Sequence, residues 1–351
     1  MKITEVRACQ PPCDSPADWR TSLGQMLVAI DTDAGITGYG VGGGGASAIH
    51  IIRTVLRDYL LSKDTEPVES HWNAMYQATL PFGRKGVAIM ALSGVDLALW
   101  DLRGKAAKQS VAQLLGGPSH AAMPTYTTVW DDIPDALIGQ HSAFKIHLGE
   151  MHPHAQPLSQ GERGDRLHHF LDIVTRARKR VGPAAKLMID AWMKWDIAFT
   201  LRFAEKAAPL GIDWIEEPLP PDDLTGYAEL VRNCPIPIAG GEHEFTAAAF
   251  AEIIERRLHH VVQPDVCWCG GMTELVKIYA LAKKHGIRVC PHRGAEIWGL
   301  HALAALDPEP LAESGRPWMT WVGGQPAIQD GMIGAPTGPG FGAVIDEAVF
   351  V

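Results

Sequence analysis

The chain has 351 residues, of which 46% are hydrophobic and 20% charged, and its formal net charge at pH 7 is −9. It is too long for a single small domain, and its acidic balance argues against nucleic acid or an anionic membrane as the main partner. No apolar run reaches the roughly 18 residues that a transmembrane helix needs, so no membrane span is predicted.

The first 45 residues show the alternation of an antiparallel β-meander. We predict strands over Lys2–Ala8, Gly24–Thr32 and Thr37–Gly40. The glycines at 42–45 are interpreted as a loop, because neither the Lys-Ser/Thr pair nor the βαβ context of a phosphate-binding loop accompanies them.

From Ala48 to about Leu115 the apolar residues recur at helical spacing. The segment Val87–Leu102 is apolar on most sides, which is typical of a buried helix. Gly116-Gly117-Pro118 follows, and glycine and proline both stop a helix. We therefore place a domain boundary near residue 120.

Beyond Met123, short apolar segments alternate with longer helical ones, among them Asp165–Arg180, Ile197–Pro209, Thr246–Arg257 and Thr273–His285. This βαβα alternation predicts a parallel sheet with helices outside it, either a barrel or a doubly wound sheet. About seven strands within about 200 residues favour the barrel. The predicted strands are Pro124–Val129, Ala143–His147, Lys186–Asp190, Trp214–Glu216, Ile238–Gly241, Val261–Gln263 and Arg288–Cys290.

The predicted fold is therefore of the α/β class, a TIM-type (β/α)7β barrel over residues 121–322. An α+β capping domain over residues 1–120 precedes the barrel. The Gly- and Pro-rich C-terminal segment, residues 323–351, is expected to return to that capping domain.

Polar residues stand at the ends of the predicted strands, about one per βα unit. The C-terminal ends of barrel strands face a single mouth, which carries the active site. One acidic residue at a strand end is usually a helix N-cap or a solvated charge, but six in step predict a shared pocket. The six are Asp190, Glu216, Glu242, Asp265, His292 and Glu313.

Asp190, Glu216 and Glu242 follow three adjacent strands and form an all-oxygen set that suits Mg²⁺. The cation would acidify the α-proton of a bound carboxylate, because it stabilises the enediolate that forms. His292 is the candidate base, since imidazole titrates near neutral pH, and Asp265 is the candidate residue that orients it.

Further candidates flank this set. Glu313 is expected to hydrogen-bond a substrate oxygen. Lys145 and His147 share one face of the second barrel strand. We expect Lys145 either to neutralise developing charge or to be a structural lysine paired with a core carboxylate, and His147 to be a second acid or base opposite the first. Glu217, which follows a predicted ligand directly, is expected to point elsewhere, as a supporting partner or in a salt bridge.

A cytoplasmic location is expected, because the N-terminus lacks the basic start and apolar core of a signal peptide. The six cysteines are scattered and are interpreted as free thiols. Cys267 and Cys269 form a single C-x-C pair, which without a second pair is weak evidence for zinc.

These residues resemble the enolase superfamily, in its mandelate racemase-like subgroup, over nearly the whole chain. The segment VDLALWDLRGKAAKQSVAQLLGG is similar to the helical capping segment of that family, and IDAW, IEEPLPPDD, GGEHEFT, QPDVCWCGGMTELVKI and CPH follow in the family's order. The resemblance implies that Asp190, Glu216 and Glu242 bind Mg²⁺. It also implies that His292 with Asp265 is the acid–base pair, and that Glu313 is the electrophilic partner.

Within the subgroup the motifs most resemble those of L-rhamnonate dehydratases and related acid-sugar dehydratases. That likeness implies removal of the C2 proton of a sugar acid, loss of the C3 hydroxyl and ketonisation to a 2-keto-3-deoxy acid. A homo-oligomer is also implied.

The chain departs from those relatives at three places. Many relatives carry Lys-x-Lys on the second strand, where this chain has Lys145 and His147. Rhamnonate dehydratases carry a histidine in an early N-terminal loop, whereas residues 11–23 here contain none, so Trp19 and Arg20 are candidate substrate contacts. They also have Gly-Ser after Pro-His, where this chain has Arg293-Gly294, which makes Arg293 a third candidate contact.

The same residues also bear on four other possible functions. An epimerase or racemase would use His147 and His292 on opposite faces of the α-carbon. A cycloisomerase is disfavoured, because it relies on the missing lysine, and a two-metal hydrolase would need more histidine ligands. A non-catalytic binding protein on an inherited barrel is disfavoured by the intact set of ligands and acid–base pair.

Overall fold

A three-stranded antiparallel sheet begins the chain. The computed structural model describes residues 1–12, 24–130, 132–148, 160–316 and 319–350, without the side chains of 160–165. The strands of this first sheet pair in sequence order and are β1 (Ile3–Cys9), β2 (Met26–Thr32) and β3 (Thr37–Gly42).

Helices cover one face of this sheet. The longest of them packs directly on β3, because Gly40 carries no side chain: a Cβ there would lie 2.1 Å from the main-chain oxygen of Gly94. The helices are α1 (Gly45–Ile51), α2 (Arg57–Leu60), α3 (Val68–Thr79), α4 (Val87–Ala107) and α5 (Val111–Leu114), and a π-helical turn over Ile52–Leu56 joins α1 to α2. Sheet and helices form the capping domain.

Eight parallel strands form the barrel. They are hydrogen-bonded in the order β10-β9-β8-β7-β6-β5-β4-β11, so the strands from β4 to β10 pair with their neighbours in sequence and β11 pairs with β4. The strands are β4 (Met123–Trp130), β5 (Ala143–His147), β6 (Lys186–Asp190), β7 (Ile215–Glu216), β8 (Ile238–Gly240), β9 (Val261–Val262), β10 (Arg288–Val289) and β11 (Ala312–Glu313).

An apolar layer fills the barrel interior. Each strand supplies one buried side chain to it, either from the strand itself or from the residue next to it, as expected for a small closed barrel. The layer consists of Tyr126, Ala143, Met188, Trp214, Ala239, Val261, Cys290 and Leu311.

The outer layer of the barrel is helical. Side-chain caps start two of its helices: Asp196 accepts a hydrogen bond from the Phe199 N–H at 2.7 Å, and Asp223 accepts one from the Gly226 N–H at 2.8 Å. The helices are α6 (Gln160–Val181), α7 (Ile197–Ala207), α8 (Leu224–Asn233), α9 (Thr246–Glu255), α10 (Gly271–His285) and α11 (Ile297–Leu306). Short 3₁₀ helices lie at Asp135–Leu137 and Ala208–Leu210.

Buried polar contacts join the capping domain to the barrel. The carboxylate of Asp96, in α4, accepts hydrogen bonds from the main-chain N–H of Thr273 at 3.0 Å and from its hydroxyl at 2.5 Å. The Trp72 indole donates to the Gly270 carbonyl at 2.8 Å. The first turn of α10 is therefore fixed to the capping domain, close to the residues that follow β9.

The C-terminal segment returns to the capping domain. Its short strands are β12 (Val322–Gly323), β13 (Met332–Ile333) and β14 (Val344–Ile345), and a 3₁₀ turn covers Glu347–Phe350. The guanidinium of Arg7, in β1, donates to Glu347 at 2.7 Å, and the Phe341 N–H donates to Asp101 of α4 at 2.9 Å.

The predicted fold class is confirmed, a TIM-type barrel with an α+β cap. Two strands, Ala143–His147 and Lys186–Asp190, have the predicted bounds. Others are shorter than predicted. The strand β9, for example, ends at Val262, although the Gln263 N–H still donates a hydrogen bond to the Gly240 carbonyl of the neighbouring strand. The division at residues 120 and 322 stays a prediction. No helix in the described part of the chain is long and apolar enough to cross a membrane.

Candidate active site

A polar layer lies directly above the apolar layer of the barrel. Strand side chains alternate, so a residue two positions beyond a member of the apolar layer also points into the barrel. This spacing explains why four of the six predicted residues, Asp190, Glu216, His292 and Glu313, converge on one mouth, whereas Glu242 and Asp265 lie further along, after β8 and β9. The residue two positions beyond Ala239 is Gly241, and the other seven are polar: Thr128, Lys145, Asp190, Glu216, Gln263, His292 and Glu313.

Lys145 stands at the centre of this layer and is 1% exposed. Its Nζ lies 2.7 Å from a carboxylate oxygen of Glu216, 2.8 Å from one of Glu313 and 3.3 Å from one of Asp190. Burial alone would lower the pKa of Lys145, but the surrounding carboxylates outweigh it and raise that pKa well above its usual value. Lys145 is thus paired with core carboxylates and also adjoins two of the predicted metal ligands.

The predicted ligands Asp190, Glu216 and Glu242 are all buried at this mouth. Glu216 also accepts a hydrogen bond from the Gln263 amide at 2.6 Å. Burial raises the pKa of Asp190 to about 7 and that of Glu216 to about 7, against the opposing effect of Lys145. Burial likewise raises the pKa of Glu242. Lys145 alone therefore does not supply enough positive charge to keep these three carboxyl groups fully ionised at neutral pH.

Glu217 and His243 form an ion pair that the sequence interpretation did not identify. The carboxylate of Glu217 lies 2.7 Å from His243 Nδ1, which is itself 3.5 Å from Glu242. Among the described residues, Glu217, Glu242 and His243 are the group of possible metal ligands whose ligand atoms all lie within 4.8 Å of one another. Burial works against the charge on His243, but Glu217 and Glu242 raise its pKa to about 10.

The backbone explains the position of Glu217. Strand alternation predicts that it points elsewhere, yet its φ of 38° lies in the left-handed region, where the chain leaves β7. The side chain therefore turns toward β8 and accepts a hydrogen bond from the Gly241 N–H at 3.3 Å. Glu217 thus lies beside the predicted ligand Glu242. It forms its salt bridge with His243, which is one of the two roles expected for it.

His292 and Asp265 form the predicted pair. The imidazole Nδ1 of His292 is 2.8 Å from Oδ2 of Asp265, and its Nε2 is 3.3 Å from a carboxylate oxygen of Glu242. Despite burial, Arg293 and His292 hold the pKa of Asp265 well below its usual value. Asp265 is therefore ionised and acceptor-only, so it accepts the Nδ1–H of His292. Burial would lower the pKa of His292, but Glu242, beside its Nε2, outweighs burial and raises that pKa above its usual value.

Glu313 is enclosed by three donors. Its oxygens lie 2.8 Å from Lys145 Nζ, 2.7 Å from the Thr128 hydroxyl and 2.9 Å from the Arg293 main-chain nitrogen. Burial would raise its pKa, but Lys145 and His292 lower it to about 2. Glu313 is therefore a carboxylate at neutral pH. Arg293, the third predicted substrate contact, directs its guanidinium to Asp265 instead of the open mouth, with Nε 2.9 Å from Oδ2.

His147 lies across the mouth from His292, on β5. Its Nε2 is 3.9 Å from a carboxylate oxygen of Asp190, and its ring packs against Trp130 with centroids 4.1 Å apart. Trp130 ends β4 and is 49% exposed. The mouth thus has the imidazole of His292 on one side and that of His147 on the other, and the exposed indole of Trp130 lies beside His147.

Comparison with known proteins identifies the family of this chain. The family "Mandelate racemase / muconate lactonizing enzyme, N-terminal domain" matches residues 3–116, and the family "Enolase C-terminal domain-like" matches residues 134–349. An L-rhamnonate dehydratase from Saccharopolyspora erythraea is 35% identical over 93% of this chain and 84% of its own length. The chain belongs to the enolase superfamily.

Solved structures of the superfamily superpose along the whole chain. The rhamnonate dehydratase of Gibberella zeae, complexed with Mg, has a TM-score of 0.86 and 26% identity, and covers 99% of this chain and 95% of its own. A racemase from Streptomyces coelicolor A3(2) with bound magnesium has a TM-score of 0.86 and 31% identity, and covers 98% of this chain and 97% of its own. Like its dehydratase relatives, the chain is an enzyme of the carbon–oxygen lyase class.

In this superfamily member the capping domain reaches the mouth of the barrel. Lys85, in the turn between α3 and α4, lies 3.1 Å from a carboxylate oxygen of Glu244, in the turn after β8. Gly43, after β3, approaches the Trp268 indole so closely that a Cβ would lie 2.6 Å from its Nε1. Trp268 in turn packs beside His292, with ring centroids 5.6 Å apart. The two remaining predicted substrate contacts, Trp19 and Arg20, lie outside the described residues.

Proposed function

We propose that this chain is a Mg²⁺-dependent acid-sugar dehydratase that converts a sugar acid into a 2-keto-3-deoxy acid. The observation that carries the proposal is the His292–Asp265 pair, whose Nε2 faces the same mouth as the buried carboxylates. The overall similarity to an L-rhamnonate dehydratase supports the substrate class. The proposed substrate is a small acid sugar, and a homo-oligomer remains a prediction.

The donor chemistry of Asp190, Glu216 and Glu242 fits magnesium, although among the described residues the ligand atoms that all lie within 4.8 Å of one another are those of Glu217, Glu242 and His243. Asp190, Glu216 and Glu242 offer only oxygen ligands, which Mg²⁺ prefers. The pKa of each is raised by burial, so their ionised forms lack compensating charge, as expected of a set built around a divalent cation. His243, which is held by Glu217, lies close enough to Glu242 to keep its carboxylate in place. When bound, the cation supplies Lewis-acid stabilisation of the charge that develops on the substrate carboxylate.

His292 acts as the base in this proposal. Asp265 fixes its Nδ1–H, so the lone pair of Nε2 takes the C2 proton of the substrate. The resulting imidazolium then delivers that proton to the C3 hydroxyl as the C–O bond breaks, and water leaves. The proton removed from C2 thus departs in the water, and the enol that remains ketonises to the 2-keto acid.

Lys145 and Glu313 stabilise the substrate during this step. Lys145 carries a fixed positive charge next to the proposed ligands, where negative charge accumulates as the proton leaves. Glu313, an ionised acceptor with a pKa of about 2, is suited to receive a hydrogen bond from a substrate hydroxyl rather than to donate one.

A library of acid sugars incubated with the protein and Mg²⁺ tests the proposal, with keto-acid products trapped as semicarbazones. We expect dehydration of at least one sugar acid. The His292→Asn variant should fold and bind Mg²⁺ as the wild type does, yet lose turnover by at least about 10²-fold, because it lacks the base. A library without any product, or full turnover by the His292→Asn variant, would contradict the proposal.

A sugar-acid epimerase or racemase is the second candidate. The position of His147, opposite His292 and near Asp190, favours it, because inversion needs a base on each face of C2. So does the similarity to the Streptomyces racemase. The same library in D₂O separates the two: inversion with deuterium at C2 and no keto acid would establish the epimerase, and dehydration would exclude it as the main reaction.

A further inference from the structure

Arg293 connects the acid–base residues of the mouth to one another. Its Nε lies 2.9 Å from Oδ2 of Asp265, and its Nη2 contacts the same oxygen. That oxygen also accepts the Nδ1–H of His292 at 2.8 Å. A single carboxylate oxygen therefore holds both the imidazole and the guanidinium, while the other oxygen of Asp265 accepts the Cys267 N–H at 2.7 Å.

The main chain of Arg293 also forms a hydrogen bond within the site. Its N–H donates to Glu313 Oε2 at 2.9 Å, and its φ is 52°, a left-handed conformation that is costly for a residue with a side chain. The guanidinium also lies over the Trp268 ring, 4.5 Å from its centroid. Contacts with Asp265, Trp268 and Glu313 thus hold Arg293 in this conformation. They join the turns that follow β9 and β10 to the end of β11.

We propose that Arg293 is a positioning residue of the proposed dehydration: it fixes the carboxylate of Asp265, and thereby His292, without binding the substrate. The inference rests on the proposed function. The side chain of Arg293 is only 12% exposed and two of its donors are taken up by Asp265. Its N–H at the same time fixes Glu313, so one residue sets the relative position of the base and the acceptor carboxylate.

The Arg293→Gly variant tests this role without adding strain, because glycine adopts a φ of 52° freely. We expect kcat to fall about 10- to 100-fold, the usual effect of losing an orienting partner, with KM unchanged. Arg257→Gly is the matched control. Arg257 has the same φ of 52°, but it is exposed in the turn before β9, and its guanidinium donates to the His285 carbonyl. That variant should keep wild-type kcat and KM.

Added guanidinium, at millimolar concentration, separates positioning from a merely structural role. It should restore at least part of kcat in Arg293→Gly, by occupying the space beside Asp265, and should leave the wild type and Arg257→Gly unchanged. Arg293→Lys, which keeps the charge but restores fewer donors, should have a kcat between those of the glycine variant and the wild type, and it serves as the test if the glycine variant does not fold. Wild-type kcat in Arg293→Gly, a loss confined to KM in either Arg293 variant, or no rescue by guanidinium would overturn the proposal.

A measurement without substrate keeps this inference separate from the proposed function. In protein labelled with ¹⁵N-histidine, the His292 Nδ1–H resonance, identified by its absence in His292→Asn, should shift in Arg293→Gly and stay in place in Arg257→Gly. A shift combined with a library that yields no product would mean that the pair is positioned by Arg293 but that the proposed reaction is wrong. An unmoved resonance would overturn the positioning role itself, whatever the substrate.

Discussion

Replacement of Lys145 by methionine should reveal how the carboxylates of the mouth are neutralised. The lysine is fully buried and lies within 3.3 Å of Asp190, Glu216 and Glu313, so its loss leaves three buried carboxylates without their shared cation. Removing one partner of a buried ion pair typically costs about 3–5 kcal/mol. With an unfolding entropy of about 2.1 cal/mol/K per residue, that corresponds to a loss of about 4–7 °C in Tm for a chain of this length.

Magnesium should reverse part of that loss. Two of the three carboxylates are proposed Mg²⁺ ligands, so without the lysine they attract the cation more strongly, and the variant should bind Mg²⁺ more tightly than the wild type does. The Tm difference between Lys145→Met and the wild type should therefore be smaller in saturating Mg²⁺ than in chelator. Recovery should be incomplete, because Glu313 is not a proposed ligand.

Differential scanning calorimetry in chelator and in Mg²⁺ measures both effects, and Lys105→Met is the matched control. Lys105 pairs with the fully buried Asp101 at 2.6 Å, but in the capping domain. Its replacement should lower Tm by an amount that Mg²⁺ does not change. If the deficit of Lys145→Met were equally insensitive to Mg²⁺, the lysine and the cation would not neutralise the same carboxylates, and the assignment of Asp190 and Glu216 would be wrong.

Two further predictions concern the ligands themselves. Without metal, Asp190 and Glu216 should contribute a loss of stability as pH rises from about 4.5 to 6.5, because folding raises the pKa of each to about 7 and their folded forms then bind more protons. Burial lowers the pKa of His259 and of His301 to about 4, and these act in the opposite sense but lie outside the proposed metal ligands. The stabilisation by saturating Mg²⁺ should therefore increase with pH through this range, which chemical denaturation with and without the metal at several pH values measures; a stabilisation that does not change with pH would contradict it. Glu216→Gln should bind Mg²⁺ at least about tenfold more weakly by isothermal titration, since it loses one charged ligand, and wild-type affinity would show that Glu216 is not a ligand.

Much of the fold and of the site follows from local patterns. The barrel follows from the βα alternation. The convergence of the polar residues that lie on the strands follows from the two-residue period, which places Lys145 above Ala143 and Asp190 above Met188. Glu242 and Asp265 come after their strands end and do not follow from it. Strand bounds are most accurate where a polar residue ends an apolar run, as at Asp190. They are less accurate at β9, whose two paired residues give no local signal of where pairing ends.

Other features depend on contacts between distant segments. The left-handed backbone at Glu217 breaks the alternation on which its predicted direction rested, and its partner His243 lies 26 residues away. The placement of Arg293 depends on Asp265, 28 residues before it. Neither pairing leaves a periodic signal, because each residue lies in a turn after a strand, where the chain direction is set by the tertiary structure.

The charge of the mouth accounts for how a protein with a net charge of −9 can act on an acid. Apart from Asp265, which is paired with Arg293 and His292, five buried carboxylates surround the opening, against one lysine and the imidazolium of His243. They are Asp190, Glu216, Glu217, Glu242 and Glu313. An anionic substrate that entered this field alone would be repelled, whereas a divalent cation reverses the local sign. The same carboxylates that exclude an acid from the empty mouth thus select it once the cation is bound, so we expect the metal to bind before the substrate.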